Sequence, residues 1–149
     1  MKKILLPLLL LTLGIGLVAF ARNNVPGSLD PPANVAVTVS DPDLVVSWDP
    51  VVNATKYSVC IVVDYDVDGI EGADCSEEFD FSTADVEGFD LLDPSMTVPI
   101  EELAYDCDDD GDLDTPLGGT VRVKGLNPGK KAGRQNNPFS ESVEFALSQ

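Results

Sequence analysis

The chain has 149 residues, no histidine, and 26 acidic residues against nine basic ones, a formal charge of −17. Such a balance argues against a nucleic-acid partner, whose phosphates would be repelled, and the missing imidazole removes His-based triads and His-ligated zinc. High acidity often marks disorder, but valine-rich stretches alternating with polar residues are too regular for a chain disordered throughout.

In chain order, Met1-Lys2-Lys3 supplies a positive start, Ile4 to Val18 is almost wholly apolar, and Ala19-Phe20-Ala21 offers the small-x-small pattern of a signal-peptidase site. The apolar run is shorter than the roughly 20 residues that a spanning helix needs, and no cysteine stands at the cut to carry a lipid. Residues 1–21 are therefore expected to be a cleaved signal peptide, leaving a soluble mature chain, secreted or periplasmic, with no membrane insertion. Cleavage leaves Arg22 to Gln149, 128 residues with seven basic and 26 acidic side chains and a charge of −19, which suits one domain around one core. In an oxidising compartment Cys60, Cys75 and Cys107 predict one disulfide and one spare thiol, with all three pairings open at this level.

Residues 22–31 mix Asn, Pro, Gly and Ser and read as a flexible lead, followed by a domain over residues 32–149. From there apolar residues recur at every second position, the period of half-buried strands. Val35, Val37 and Val39 form one such set, followed by Leu44, Val46 and Trp48, and then by Tyr57, Val59, Ile61 and Val63. Phe79 with Phe81, then Met96, Val98 and Ile100, Val121 with Val123, and Val143, Phe145 and Leu147 complete seven predicted strands. No helical period is sustained after residue 21, so the expected class is an all-β sandwich.

Two acidic runs interrupt these strands. Asp64-Tyr-Asp66-Val-Asp68-Gly69 and Asp106-Cys-Asp108-Asp-Asp110-Gly111 both spell D-x-D-x-D-G. Oxygen ligands at alternate positions, with a glycine permitting a sharp turn, are what a hard cation such as Ca²⁺ requires of a short loop. The candidate ligands are Asp64, Asp66, Asp68, Ile70 and Asp74 in the first run, with Glu77 near its end, and Asp106, Asp108, Asp110, Asp112 and Asp114 in the second. Neither run is a complete EF-hand, because its twelfth position holds Cys75 or Leu117 rather than the closing glutamate. The alternative reading is a pair of solvated acidic loops that keep the protein soluble.

The segment Leu44-Val-Val-Ser-Trp48-Asp-Pro50, continued by Ala54-Thr-Lys-Tyr57-Ser-Val59, resembles the second and third strands of a fibronectin type III domain. Val121-Arg-Val-Lys-Gly-Leu-Asn-Pro-Gly129 resembles its sixth strand and exit turn, and Asn137-Pro-Phe-Ser-Glu-Ser-Val-Glu-Phe145 the approach to its seventh. The resemblance implies a seven-stranded immunoglobulin-like sandwich with Trp48 and Tyr57 in the core. It also implies a tyrosine at the start of the sixth strand, but Gly119 stands about there, so the usual tyrosine corner is expected to be missing. The second acidic run, continuing to Asp114, is similar to the calcium loops of thrombospondin type 3 and dockerin repeats.

Under that topology both acidic runs, together with Asp41 and Asp43, fall at one end of the sandwich. Cys75 and Cys107, each following an aspartate, are then expected to pair, with Cys60 as the spare thiol facing away from the core and a Cys60–Cys75 bridge as the alternative. Lys130, Lys131 and Arg134, beside Arg122 and Lys124, would make the opposite end basic, and the family often contacts partners there. The chain contains no Arg-Gly-Asp, and Asn53-Ala-Thr55 is a glycosylation sequon that the bacterial-looking signal makes incidental. The functional expectation is an exported, calcium-stabilised binding or adhesion module without catalytic activity, contacting an extracellular protein or glycan. A structural subunit of an envelope or surface assembly is the alternative, and a carbohydrate-active hydrolase a more remote one.

Overall fold

The computed structural model describes residues 28–67, 75–127 and 137–147. Each alternating stretch becomes a strand: β1 (Ala36–Ser40), β2 (Asp43–Ser47), β3 (Lys56–Asp66), β4 (Cys75–Ser82), β5 (Ser95–Pro99), β6 (Thr115–Leu126) and β7 (Val143–Ala146). Two short 3₁₀ turns, Thr83–Asp85 and Ile100–Leu103, carry the chain into and out of β5. All pairing is antiparallel, in a three-stranded sheet ordered β1-β2-β5 and a four-stranded sheet ordered β4-β3-β6-β7. The fold is thus an all-β sandwich.

Its core follows from the period of two, because alternate side chains share one face of a strand. Leu44 and Val46 of β2 with Met96 and Val98 of β5 line one sheet, and Tyr57, Val59, Ile61, Val63 and Tyr65 of β3 with Val121 and Val123 of β6 line the other. Each fully buried aliphatic or aromatic side chain contributes roughly 1.5–3 kcal/mol relative to exposure. Trp48, just past β2, closes one end, edge-on to Tyr57 at 5.1 Å and stacked on Phe89 at 6.2 Å between ring centroids. The Tyr57 hydroxyl accepts from the Val51 amide at 2.8 Å, and the Thr83 hydroxyl accepts from the Tyr57 amide at 2.8 Å, which pins both ends of that residue. Val39 departs from the expected set: β1 is an edge strand, and its last apolar side chain is 36% exposed instead of joining Val35 and Val37 against the core.

Backbones approach closely where β6 enters its sheet. A β-bulge falls between Asp64 and Tyr65, since Asp64 faces Gly118 while Tyr65 faces Pro116. A Cβ at Gly119 would overlap the carbonyl oxygen of Val62, so no tyrosine can occupy that position. The connection from β5 to β6 is instead anchored from the neighbouring strand: the buried Tyr65 hydroxyl donates to the Leu103 carbonyl at 2.5 Å. Burial, followed by the charge of Glu77, pushes the Tyr65 phenol from 10 up to about 12.

An unfolded tyrosine ionises near pH 10, so between about 10 and 12 the folded chain holds a proton that the unfolded chain has released. Tyr65 therefore stabilises the fold fully below pH 10, and that contribution is lost as the pH rises through about 12. Tyr65→Phe leaves the buried Leu103 carbonyl without its donor, and is expected to cost about 1–3 kcal/mol at neutral pH. Urea unfolding from pH 8 to 11 tests both statements: the variant should start lower and lose less stability across the alkaline range. Parallel curves would show that Tyr65 is not the group that titrates.

Candidate metal centre

The second acidic run is a closed loop. Tyr105 and Asp114 form an isolated antiparallel bridge, with the Asp114 amide donating to the Tyr105 carbonyl at 2.8 Å. Inside it, carboxylates fold the backbone around themselves. Asp106 accepts from the amides of Asp110 at 3.3 Å and Gly111 at 2.9 Å, and Asp108 shares the Asp110 amide at 3.3 Å. Asp110 accepts from the Asp112 amide at 2.9 Å, and Asp114 accepts from the Cys107 amide at 2.7 Å. Such short-range bonds are what aspartate offers a turn in place of a sheet ladder. Gly111 takes φ +95°, a left-handed conformation that glycine adopts at no steric cost, and Asp109 sits at +59°.

This folding directs Asp106, Asp108 and Asp114 toward one point, with one carboxylate oxygen from each lying within 4.8 Å of the others. Asp106 and Asp114 are half-buried and Asp108 is exposed. Partial desolvation, and then the neighbouring charges of Asp110, Asp114 and Asp106, raise the Asp108 carboxyl above its ordinary range, against the lowering effect of the Asp110 amide. Three carboxylates thus converge as an oxygen-only donor set of the kind hard cations take. Asp110 and Asp112 lie in the same loop but are not part of the trio.

The first acidic run begins at the same end. Asp66 is opposite Thr115, the residue after Asp114, and Asp64 lies one outward-facing position earlier on β3. Asp43 pairs with Pro99, and the Pro42 carbonyl accepts from the Ile100 amide, so the β1–β2 turn reaches this pole too. Asp64 and Asp66 are exposed and do not join the trio, while Asp68, Ile70 and Asp74 lie outside the described residues. Cys75, the first residue of β4, is joined to Cys107 across 32 positions, with Cα atoms 6.1 Å apart. The bridge attaches the start of the acidic loop to the four-stranded sheet.

Cys60 is a free thiol, buried on the outer face of β3 rather than in the core between the sheets. It lies opposite Asp80 on one side and Arg122 on the other, and with Glu78 and Asp80 forms a second cluster of ligand-type atoms. The Arg122 guanidinium already fills that cluster, donating to the Cys60 sulfur and to Glu78, each at 3.4 Å. Desolvation raises the Cys60 thiol, outweighing the lowering effect of Arg122, so it stays protonated at neutral pH. Sequence reading missed this cluster because Glu78, Asp80 and Arg122 come from two different strands. Their shared period-two phase with Cys60 was the one available signal.

Arg122 and Lys124 also flank the Phe139 ring, at 5.0 and 4.3 Å from its centroid. These two basic side chains thus help seat the segment leading to β7. Lys130, Lys131 and Arg134 lie outside the described residues. The strand that leads toward them leaves the sheet at Leu126, eleven residues beyond Thr115, or roughly 35 Å at the rise of an extended strand.

Neither a protein-family model nor a curated protein sequence matches this chain.

Proposed function

We propose that the mature chain is an exported binding module of the fibronectin type III kind, without catalytic activity, whose acidic pole is stabilised by a bound divalent cation, Ca²⁺ in the first instance. The carrying observation is the convergence of Asp106, Asp108 and Asp114 within 4.8 Å in a loop folded by their own backbone contacts. The strand orders β1-β2-β5 and β4-β3-β6-β7 support the family reading. Lys130, Lys131 and Arg134, which follow β6 in the chain, are the residues proposed to contact an extracellular protein or glycan.

A ligand that binds only the folded state at 100 times its dissociation constant stabilises by about 2.7 kcal/mol, which raises the melting temperature of a domain this size by roughly 10 °C. Thermal melting of the oxidised mature protein in millimolar Ca²⁺ and in chelator is expected to differ by that amount. The difference should largely disappear in Asp108→Asn and Asp114→Asn. Superimposable melts with and without the ion would reduce the loop to solubilising charge.

A further inference from the structure

We infer that the Cys75–Cys107 disulfide is a redox-dependent clamp on the Asp106–Asp114 loop: its reduction frees this loop while the sandwich stays folded, and so couples cation binding to an oxidising environment. The coupling rests on the cation reading above; the clamp itself rests on how the loop is attached.

The connection between the second 3₁₀ turn and β6 is fixed at both ends without the disulfide. Leu103 is fully buried and accepts the Tyr65 hydroxyl, and Thr115 pairs with Asp66 in the four-stranded sheet. Between these anchors little apolar surface is buried. Leu113 is 69% exposed and Tyr105 40% exposed, and the Tyr105–Asp114 bridge is the one strand-type pairing in the segment among the described residues. A segment with few buried apolar contacts and solvent-facing hydrogen bonds opens at a lower free energy than the core.

Charge drives the same opening. Asp106, Asp108 and Asp114 repel one another across less than 4.8 Å, and Cys107 sits inside this cluster, with its amide on the Asp114 carboxylate. The disulfide fastens that residue to Cys75 at the start of β4, opposite Tyr65. Both cysteines are partly exposed, so a small reductant can reach them. A dithiol transfers two electrons and two protons: the Cys75–Cys107 S–S bond breaks, two cysteine thiols form, and the dithiol closes to its own disulfide. Once released, the loop must pay its ordering entropy on every binding event, which lowers cation affinity.

Hydrogen exchange on the mature protein, oxidised and then reduced with a dithiol, tests the clamp. Cys75→Ala/Cys107→Ala serves as the reagent-free counterpart. On reduction, protection of the Cys107, Gly111, Asp112 and Asp114 amides is expected to fall at least about tenfold, with the β-sheet circular dichroism retained and the Val59, Ile61, Val121 and Val123 amides still slow to exchange. Unchanged loop protection would overturn the clamp. So would collapse of core protection together with the loop, which would make the bridge a support of the whole fold.

Titration of both redox states with Ca²⁺ separates the two readings. A Kd at least about tenfold weaker in the reduced protein supports the coupling, and equal affinities overturn it while leaving the cation site standing. No Ca²⁺ binding even to the oxidised protein would sink the cation reading and the coupling, leaving the clamp to the exchange result.

Discussion

Trp48→Ala is expected to destabilise the domain by about 3–5 kcal/mol, the usual cost of removing a large aromatic from a packed interior. Trp48 is 5% exposed and closes the Trp48–Tyr57–Phe89 cluster, so its loss leaves a cavity beside two rings that keep only their mutual contact at 6.1 Å between centroids. The same residue carries an internal control. Its indole Nε1 is buried without a hydrogen-bond partner among the described residues, and an unpaired buried donor costs free energy. Trp48→Phe removes that donor along with part of the ring, and is expected to lose clearly less than half of what alanine loses. Urea unfolding followed by far-ultraviolet circular dichroism, which does not depend on the indole, measures both. Equal losses for the two variants would show that a phenyl ring recovers none of the packing that the indole supplies, and would overturn this reading of the site.

The second large effect is expected at Gly119. An added methyl group would overlap the carbonyl oxygen of Val62 and crowd the Cα of Val63 in β3, the most extensively paired strand of the four-stranded sheet. Both obstacles are backbone, so no rotamer change relieves them, and β3 and β6 must separate or shift register. Overpacking usually costs about 1–3 kcal/mol and occasionally more, and Gly119→Ala should stand at or above the top of that range. Gly88→Ala is the comparison, because a Cβ there meets nothing within 4 Å and the cost is confined to its left-handed φ of +73°. Comparable midpoints for the two variants would mean that the β3–β6 approach yields more easily than its geometry indicates.

These two positions show what was legible before the fold was known. Trp48 was readable as core because it continued the Leu44, Val46 alternation and was followed by a strand-stopping proline. Gly119 was readable only as a departure from an expected tyrosine. Its reason, the proximity of a backbone carbonyl on another strand, is a fact about a residue 57 positions away. Tyr65 illustrates the same limit. It shares the period-two phase of Tyr57, but its hydrogen bond to Leu103 spans 38 positions and depends on where the β5–β6 connection passes.

The acidic pole divides likewise. The D-x-D-x-D-G spacing announced a loop with alternate carboxylates and a glycine at the turn. Which of them converge was decided by the loop closure: the Tyr105–Asp114 bridge and the Cys107 amide bring Asp114 back to Asp106 and Asp108.

By itself, then, the order of residues determined the all-β class, the inward face of each strand and the acidity of one stretch after another, because those properties depend on side-chain alternation and composition over a few neighbouring positions. The tertiary structure alone decided which strands pair, which three aspartates meet, and that Arg122 reaches the Cys60 sulfur and Glu78 from the neighbouring strand. Those outcomes depend on backbones and charges far apart in the chain being brought within a few ångströms, and hydrophobic packing of the whole domain selects that arrangement.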